Sequence, residues 1–350
     1  MLLHLLPVSA LLLSKVLADN ITCSHHFAPI RMHYPVCNGP PQVYVVEPSH
    51  GRGLGVFAVH DLDIGDIVMR ETPIIKISLS EVVKGGGYPM DVVSKLVHDE
   101  FNMLSSSAQE EVLALTYYTT PGENTPPDTL GNIFRTNAYN TGDKVGLFPR
   151  IARINHSCRP NTSYYWNEKL NKRIVYATRK IKAGEELFVS YISLLLSRED
   201  RQKQLDRYGF KCQCEACAQE RAAQETSDRL RITIQRAFAN FDHQLVLTPP
   251  QSAAEAERVR KNAEASVQLA QLVQTEGLAD YYARAYRIAA ISLARQEEWE
   301  SASIWANKGY EMMYIEDPDS PATGEMQQLT TLFLSNWNMQ LTGRPGLEVL

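Results

Sequence analysis

The chain has 350 residues, of which 44% are hydrophobic and 21% charged, and its formal net charge is −5 at pH 7. This length and composition are typical of a folded protein with one large or two modest domains. The small negative charge gives no overall attraction to nucleic acid, so we expect no direct nucleic-acid partner. No apolar run of about 18 residues follows the N-terminus, so no stable membrane span is predicted.

The N-terminus carries an apolar stretch. Residues 1–18 end in Val16-Leu17-Ala18, a small-residue pattern typical of signal-peptide cleavage, and they predict a possible signal peptide. However, no Lys or Arg precedes the apolar stretch and Lys15 lies inside it, so an apolar N-terminal arm is the alternative. The predicted location depends on this choice. It is the secretory pathway or the exterior if the leader functions, and otherwise the nucleus or cytoplasm.

Residues 19–42 form an N-terminal segment without clear periodicity. Cys23 and Cys37 could close a disulfide loop in an oxidising compartment, or they could remain unpaired thiols. His25, His26 and His33 lie between them without the spacing of a metal site.

The next part of the chain predicts short strands and a helical insertion. Residues 43–77 contain β-branched and apolar runs cut by Gly and Asp turns, which predict several strands. Apolar residues recur at helical spacing over 90–120, and the Pro- and Gly-rich residues 120–131 predict a loop. Further short strands are predicted at 173–178 and 187–192.

The C-terminal part predicts helices. Residues 197–207 are charged with helical character, and after Cys217 the residues Ala, Glu, Gln and Arg dominate with helical periodicity. We therefore predict an all-helical C-terminal domain at 221–350. Residues 279–321 resemble a tetratricopeptide-type helix pair, which could bind a partner protein.

The remaining cysteines predict a metal site. Cys212, Cys214 and Cys217 lie so close that disulfides would leave one thiol over, whereas three thiolates in one turn suit a tetrahedral Zn²⁺ ion. Cys158, in the run "RINHSCRPN", is the thiol left outside the N-terminal pair and is the predicted fourth ligand. A redox cluster or ordinary buried cysteines are the alternatives.

Four stretches, in this order, together resemble a SET-domain methyltransferase. They are "HGRGLGVFA" (50–58), "RINHSCRPN" (153–161), "GEELFVSYI" (184–192) and "LLLSREDRQKQLDRYGFKCQCEAC" (194–217). The last stretch looks most like the SET and MYND branch. No cysteine lies between residues 37 and 158, so the nearer match is the fungal-type proteins that lack the MYND finger.

The resemblance implies an α+β fold with defined parts. A SET-type β fold of short sheets would occupy residues 43–195, with a helical insertion at about 75–130. A post-SET zinc-binding region would follow at 196–220, before the all-helical domain.

The same resemblance implies an activity. It is the transfer of a methyl group from S-adenosyl-L-methionine to a lysine of a protein, histone or non-histone. A catalytically silent SET scaffold, which binds partner proteins through its helical domain, is the alternative.

Individual residues take roles by the same resemblance. Tyr191 and Tyr208 are the implied catalytic residues, and Tyr139 is the implied aromatic residue of the substrate channel. Simple core packing is the alternative for each. Arg52 could pair with the cofactor carboxylate. The implied cofactor-binding residues are His50, Gly51, Arg52, Gly53, Asn155, His156 and Phe210.

Overall fold

The computed structural model describes residues 23–24, 36–37, 42–78, 90–119, 128–242 and 244–343. The possible signal peptide, the three N-terminal histidines and residues 120–127 of the expected loop lie outside these ranges. Strands β1 (Cys23–Ser24) and β2 (Val36–Cys37) pair antiparallel and place the backbones of Cys23 and Cys37 opposite each other. A disulfide between them stays a prediction.

The described β structure consists mainly of three small sheets. Their strand orders are β3-β4-β12-β9, β10-β11-β5 and β6-β8-β7. The strands are β3 (Tyr44–Ser49), β4 (Gly53–Ala58), β5 (Ile67–Glu71), β6 (Ile75–Ser78), β7 (Ala138–Thr141), β8 (Lys144–Leu147), β9 (Asn155–His156), β10 (Thr162–Asn167), β11 (Lys172–Ala177) and β12 (Glu186–Val189).

One sheet unites three of the four motif stretches. Strand β12 pairs antiparallel with β4, where Leu187 lies opposite Val56, and parallel with β9, where Phe188 lies opposite Asn155. Both Val56 and Leu187 are fully buried, so the apolar faces of these strands fix the register. The strand pairing therefore brings "HGRG", "NHSC" and "GEELFVSY" side by side.

Two of the three described helices between β6 and β7 lie in the range 90–120 that the periodicity predicts, and the third lies beyond it. They are α1 (Met90–Asn102), α2 (Ser106–Leu113) and α3 (Thr129–Asn137). The Asp128 side chain caps α3 by accepting a hydrogen bond from the backbone N–H of Gly131. Because of this cap, α3 begins inside the expected loop 120–131.

The remaining described helices belong to the C-terminal half. Helices α7 and α8, and likewise α8 and α9, pack directly on each other. Small buried residues such as Ala290 and Ala306 permit this close packing. The helices are α4 (Arg198–Leu205), α5 (Arg221–Phe241), α6 (Ala253–Thr275), α7 (Tyr282–Ala294), α8 (Trp299–Glu316) and α9 (Pro321–Thr342).

The cysteine region and the C-terminal helices share one hydrophobic core. Cys158 and Cys217 belong to the same buried cluster as Phe238 of α5, Val273 of α6 and Ile288 of α7. The predicted α+β class, with short sheets followed by a helical region, is confirmed. Among the described helices, none is long and apolar enough to cross a membrane.

Candidate active site and metal centre

A cavity of about 1140 Å³ lies where the motif stretches meet. Small-molecule sites typically have about 300–1000 Å³, so this cavity has room for a cofactor and an incoming side chain. It is lined by predicted site residues His50, Gly51, Arg52, Tyr139, Asn155, His156, Tyr191, Tyr208 and Phe210. Gly53, the first residue of β4, is not among the lining residues.

A carboxylate that the sequence analysis missed connects two of the motifs. Glu186 of β12 accepts hydrogen bonds from Ser49 Oγ at 2.9 Å, Arg52 Nη1 at 3.0 Å and Asn155 Nδ2 at 2.8 Å. A Cβ atom at Gly55 would lie 2.5 Å from Glu186 Oε1, so a larger residue there would displace the carboxylate from this position. Arg52 therefore pairs with Glu186 here, and its pairing with a cofactor carboxylate stays a prediction.

Asn155 and His156 are held in defined orientations. The Asn155 side-chain amide donates to the carbonyl oxygen of Leu54 at 3.0 Å as well as to Glu186, which leaves its Oδ1 as an acceptor toward the cavity. The His156 Nδ1 atom accepts the backbone N–H of Tyr191 at 3.1 Å. Burial lowers the pKa of His156 to about 4, so the ring is neutral and its proton lies on Nε2.

Tyr191 and Tyr208 lie together on one wall. Their ring centroids are 5.0 Å apart, and the Tyr191 hydroxyl donates a 2.6 Å hydrogen bond to the carbonyl oxygen of Ile154. Burial raises the pKa of the Tyr191 hydroxyl well above its ordinary value. Tyr191 is therefore a neutral phenol at physiological pH. The Tyr208 hydroxyl accepts a 2.7 Å hydrogen bond from Arg207.

Tyr139 belongs to an aromatic group that surrounds a buried cation. Its ring centroid lies 5.3 Å from that of Tyr164, a cavity residue that the sequence analysis missed. The Arg173 guanidinium lies 4.6 Å from the Tyr139 ring, 4.7 Å from Tyr164 and 5.3 Å from Phe148. Only 4% of Arg173 is exposed, and its Nε has no hydrogen-bond partner within the described part of the chain. The aromatic run "SYYW" was the signal available for Tyr164.

The four predicted metal ligands form one buried cluster. The Sγ atoms of Cys158, Cys212, Cys214 and Cys217 all lie within 4.8 Å of one another, and those of Cys158 and Cys217 are 3.7 Å apart. Tetrahedral Zn²⁺ with Zn–S bonds of about 2.3 Å requires sulfur atoms about 3.8 Å apart. The cluster therefore fits a zinc ion in both ligand chemistry and spacing.

Hydrogen bonds among the four thiols shift their pKa values in opposite directions. Those from Cys158 and Cys212 lower the pKa of Cys217 to about 6 and hold the pKa of Cys214 well below its ordinary value, whereas the pKa values of Cys158 and Cys212 are raised. The backbone N–H of Cys158 also points at Cys214 Sγ, at 3.3 Å. Thiolates are the form that binds a metal, so binding of Zn²⁺ would displace the protons that remain on the cluster.

Part of the chain matches a known protein family. The model of the SET domain matches residues 53–192. The chain is 29% identical over 318 residues to "Histone-lysine N-methyltransferase set5" of Schizosaccharomyces pombe. This alignment covers 84% of this chain and 90% of that protein.

Two mammalian proteins match a shorter part. "Histone-lysine N-methyltransferase SMYD3" of Mus musculus is 45% identical over 74 residues, and "N-lysine methyltransferase SMYD2" of Homo sapiens is 46% identical over 72 residues. These matches cover 21% and 20% of this chain, but the chain spans only 17% and 16% of those relatives. The similarities confirm the resemblance seen in the four stretches.

Proposed function

The chain is a SET-domain protein, and from this premise we propose that it is a protein-lysine N-methyltransferase that uses S-adenosyl-L-methionine. The observation that carries the proposal is one cavity lined together by Arg52, Asn155, His156, Tyr191 and Tyr208. These residues come from all four motif stretches. Their convergence on one space supports a catalytic site over scattered structural roles.

One end of the cavity has groups suited to an amino acid. S-adenosyl-L-methionine would supply an electrophilic methyl group on its sulfonium. The Oδ1 of Asn155 can accept a hydrogen bond from an ammonium group, because both amide protons are committed to Leu54 and Glu186. The half-exposed guanidinium of Arg52 can attract a carboxylate while Glu186 holds it in place. Glu186 thus orients both residues before a ligand binds.

The other wall is suited to a lysine amine. An amine attacks a methyl group only when it is neutral, and an apolar aromatic channel disfavours the charged ammonium form. The rings of Tyr139, Tyr164, Tyr191 and Tyr208 supply such a channel. The Tyr191 hydroxyl donates its proton to Ile154, so its oxygen lone pairs remain to accept from the amine and to stabilise the charge that develops on it.

The four cysteines would hold zinc in a structural role. A site with four protein ligands has no open position for a substrate, which is typical of structural zinc. Cys158 follows Asn155-His156, and Cys212 follows Tyr208 and Phe210. The ion would therefore fix both segments of the cavity wall to each other.

The proposed substrate is a lysine side chain of a protein. Relatives of this chain carry the names histone-lysine and N-lysine methyltransferase, which supports both histone and non-histone substrates as candidates.

The test is a methyl-transfer assay with the full, zinc-loaded chain. The protein is incubated with S-adenosyl-L-methionine carrying a labelled methyl group, first with core histones and then with a cell extract. Peptide mass spectrometry locates the labelled residue. We expect label on lysine side chains. Label on another residue type would overturn the proposed chemistry, and failure of the folded protein to bind S-adenosyl-L-methionine would favour the scaffold.

A further inference from the structure

Two arginines are buried beside the cysteine cluster and play no part in the site described above. Arg201 of α4 is 1% exposed and Arg231 of α5 is fully buried, and they are the two largest side chains that are completely enclosed in the described part of the chain. A buried guanidinium costs free energy unless nearby groups offset its charge. The groups that contact the two arginines therefore indicate their role.

Arg231 connects a metal ligand to the C-terminal helices. Its Nη2 donates to the carbonyl oxygen of Cys158 at 3.1 Å, and its Nη1 donates to the carbonyl oxygen of Leu194 at 3.0 Å. Its Nε pairs with Glu276 Oε2 at 3.1 Å, just beyond the end of α6. The backbone of one cysteine ligand is thus held by a side chain that belongs to α5.

Arg201 also lies near the cysteine cluster. Its Nη1 donates to the carbonyl oxygen of Leu196 at 2.6 Å and lies 3.5 Å from Asp228 Oδ1. Its Nε has no hydrogen-bond partner within the described residues. The thiols of Cys158 and Cys217 lie within interaction range of its guanidinium. A buried cation with an unused donor next to thiols points to an anionic neighbour.

A metal–thiolate centre supplies that anion. Zn²⁺ bound by four cysteine thiolates carries an excess negative charge of about two, which would be unfavourable in a buried site without cations. Arg159 also approaches this region, with its Nη2 3.7 Å from Glu276. Arg159 also pairs with the exposed Glu215, and Arg198 donates to the carbonyl oxygen of Cys217 at 3.2 Å. Four arginines therefore approach the cluster against three carboxylates, Glu215, Glu276 and Asp228, which leaves the protein side of the site with a positive excess.

We propose that Arg201 and Arg231 are positioning residues of the metal centre, which offset the charge of a zinc–tetrathiolate cluster and tie its retention to the docking of α5. The C-terminal helices are then required for the metal centre. Groups in the second layer around a metal commonly change its affinity by about 10–100-fold.

The test measures zinc affinity and the spectrum of a substituted metal, independently of any enzymatic activity. Arg201→Met and Arg231→Met remove the charge, and Arg201→Lys restores it without the planar donors. Phe333→Leu, a buried change in the distant core of α9, is the control for general loss of stability. Zinc affinity is measured by competition with a chromophoric chelator, and Co²⁺ substitution reports the sulfur-to-metal charge-transfer bands.

We expect both Met variants to weaken zinc binding about 10–100-fold. Arg201→Lys should recover part of the loss, and Phe333→Leu should bind zinc as the wild type does. Wild-type zinc affinity in the folded Met variants, or an equal loss in Phe333→Leu, would overturn the proposal. If the Met variants do not fold, the test rests on Arg201→Lys. Shifted Co²⁺ charge-transfer bands and weaker zinc binding in this variant support the proposal. A wild-type spectrum and wild-type zinc affinity contradict it.

Discussion

The hydroxyl group of Tyr191 donates a 2.6 Å hydrogen bond to the backbone carbonyl oxygen of Ile154, the residue directly before Asn155. This bond orients the phenol oxygen and commits its only proton. Burial also raises the pKa of the hydroxyl, so it stays neutral through the pH range in which the protein would work. Tyr191 is therefore an oriented acceptor and a poor general base.

Replacing Tyr191 with Phe should remove catalysis while leaving binding intact. We expect kcat to fall by about 10²–10³-fold, as for the loss of one oriented group at a developing charge. The affinity for S-adenosyl-L-methionine should change little. Tyr165→Phe is the matched control, because Tyr165 lies on the same strand as Tyr164 but does not line the cavity. A wild-type kcat in Tyr191→Phe would contradict the assigned role.

Removing the Glu186 carboxylate should weaken cofactor binding. Glu186→Ala frees Arg52 and leaves the Asn155 amide without one of its two acceptors. A charge-assisted hydrogen bond contributes about 1.5–3 kcal/mol, so the Kd for S-adenosyl-L-methionine should rise at least about tenfold. The control is Glu185→Ala, which removes a neighbouring surface carboxylate paired with Arg179. The Kd values are measured by calorimetry. An equal rise in Kd for both variants would argue against the role of Glu186 in orienting Arg52 and Asn155.

Gly209 should be sensitive to even a methyl group. It has a φ of +75°, and an added Cβ would lie 2.1 Å from the Tyr118 ring. Left-handed backbone costs an L-residue about 1–2 kcal/mol, and the overlap should add about 1–3 kcal/mol. Gly184→Ala is the control, since Gly184 has a φ of +80° but no atom within 4 Å of the added Cβ. Urea unfolding should show the larger loss of stability in Gly209→Ala. Equal losses would mean that Tyr118 moves aside freely.

Replacing Arg173 with an apolar residue is predicted to keep or raise stability and to lower activity. Its guanidinium is buried among aromatic rings without a carboxylate within ion-pair distance in the described residues. Replacing a poorly compensated buried charge with an apolar residue is often neutral or stabilising, so Arg173→Met should keep or raise the Tm. The rings of Tyr139 and Tyr164 would lose the cation that holds them, and kcat/KM should fall by about tenfold or more. A lower Tm with unchanged kcat/KM would contradict this interpretation.

Local pattern in the sequence predicts part of the fold. Strands within 43–77, helices α1 and α2 and the C-terminal helices follow from periodicity, and the four-cysteine cluster follows from ligand chemistry. Strands β7, β8, β9 and β10 and helix α3 were not predicted. The strands are short, and their pairing is a matter of tertiary contact.

The missed site residues share a physical reason. Glu186 and Arg52 are 134 residues apart in the chain, and Arg231 reaches Cys158 across 73 residues. A lone Glu or Arg in a sequence gives no sign of such a partner. The leader at 1–18, the Cys23–Cys37 disulfide, the cellular location and a partner on the helical domain stay predictions.

The most direct test of the account is a calorimetric titration of S-adenosyl-L-methionine into the folded, zinc-loaded chain, with Asn155→Ala alongside. We predict saturable binding at one site per chain, weakened in the variant because the acceptor for the ammonium group is lost. Absence of binding to protein that is folded and zinc-replete would contradict the central claim, because the shared cavity would then have no cofactor.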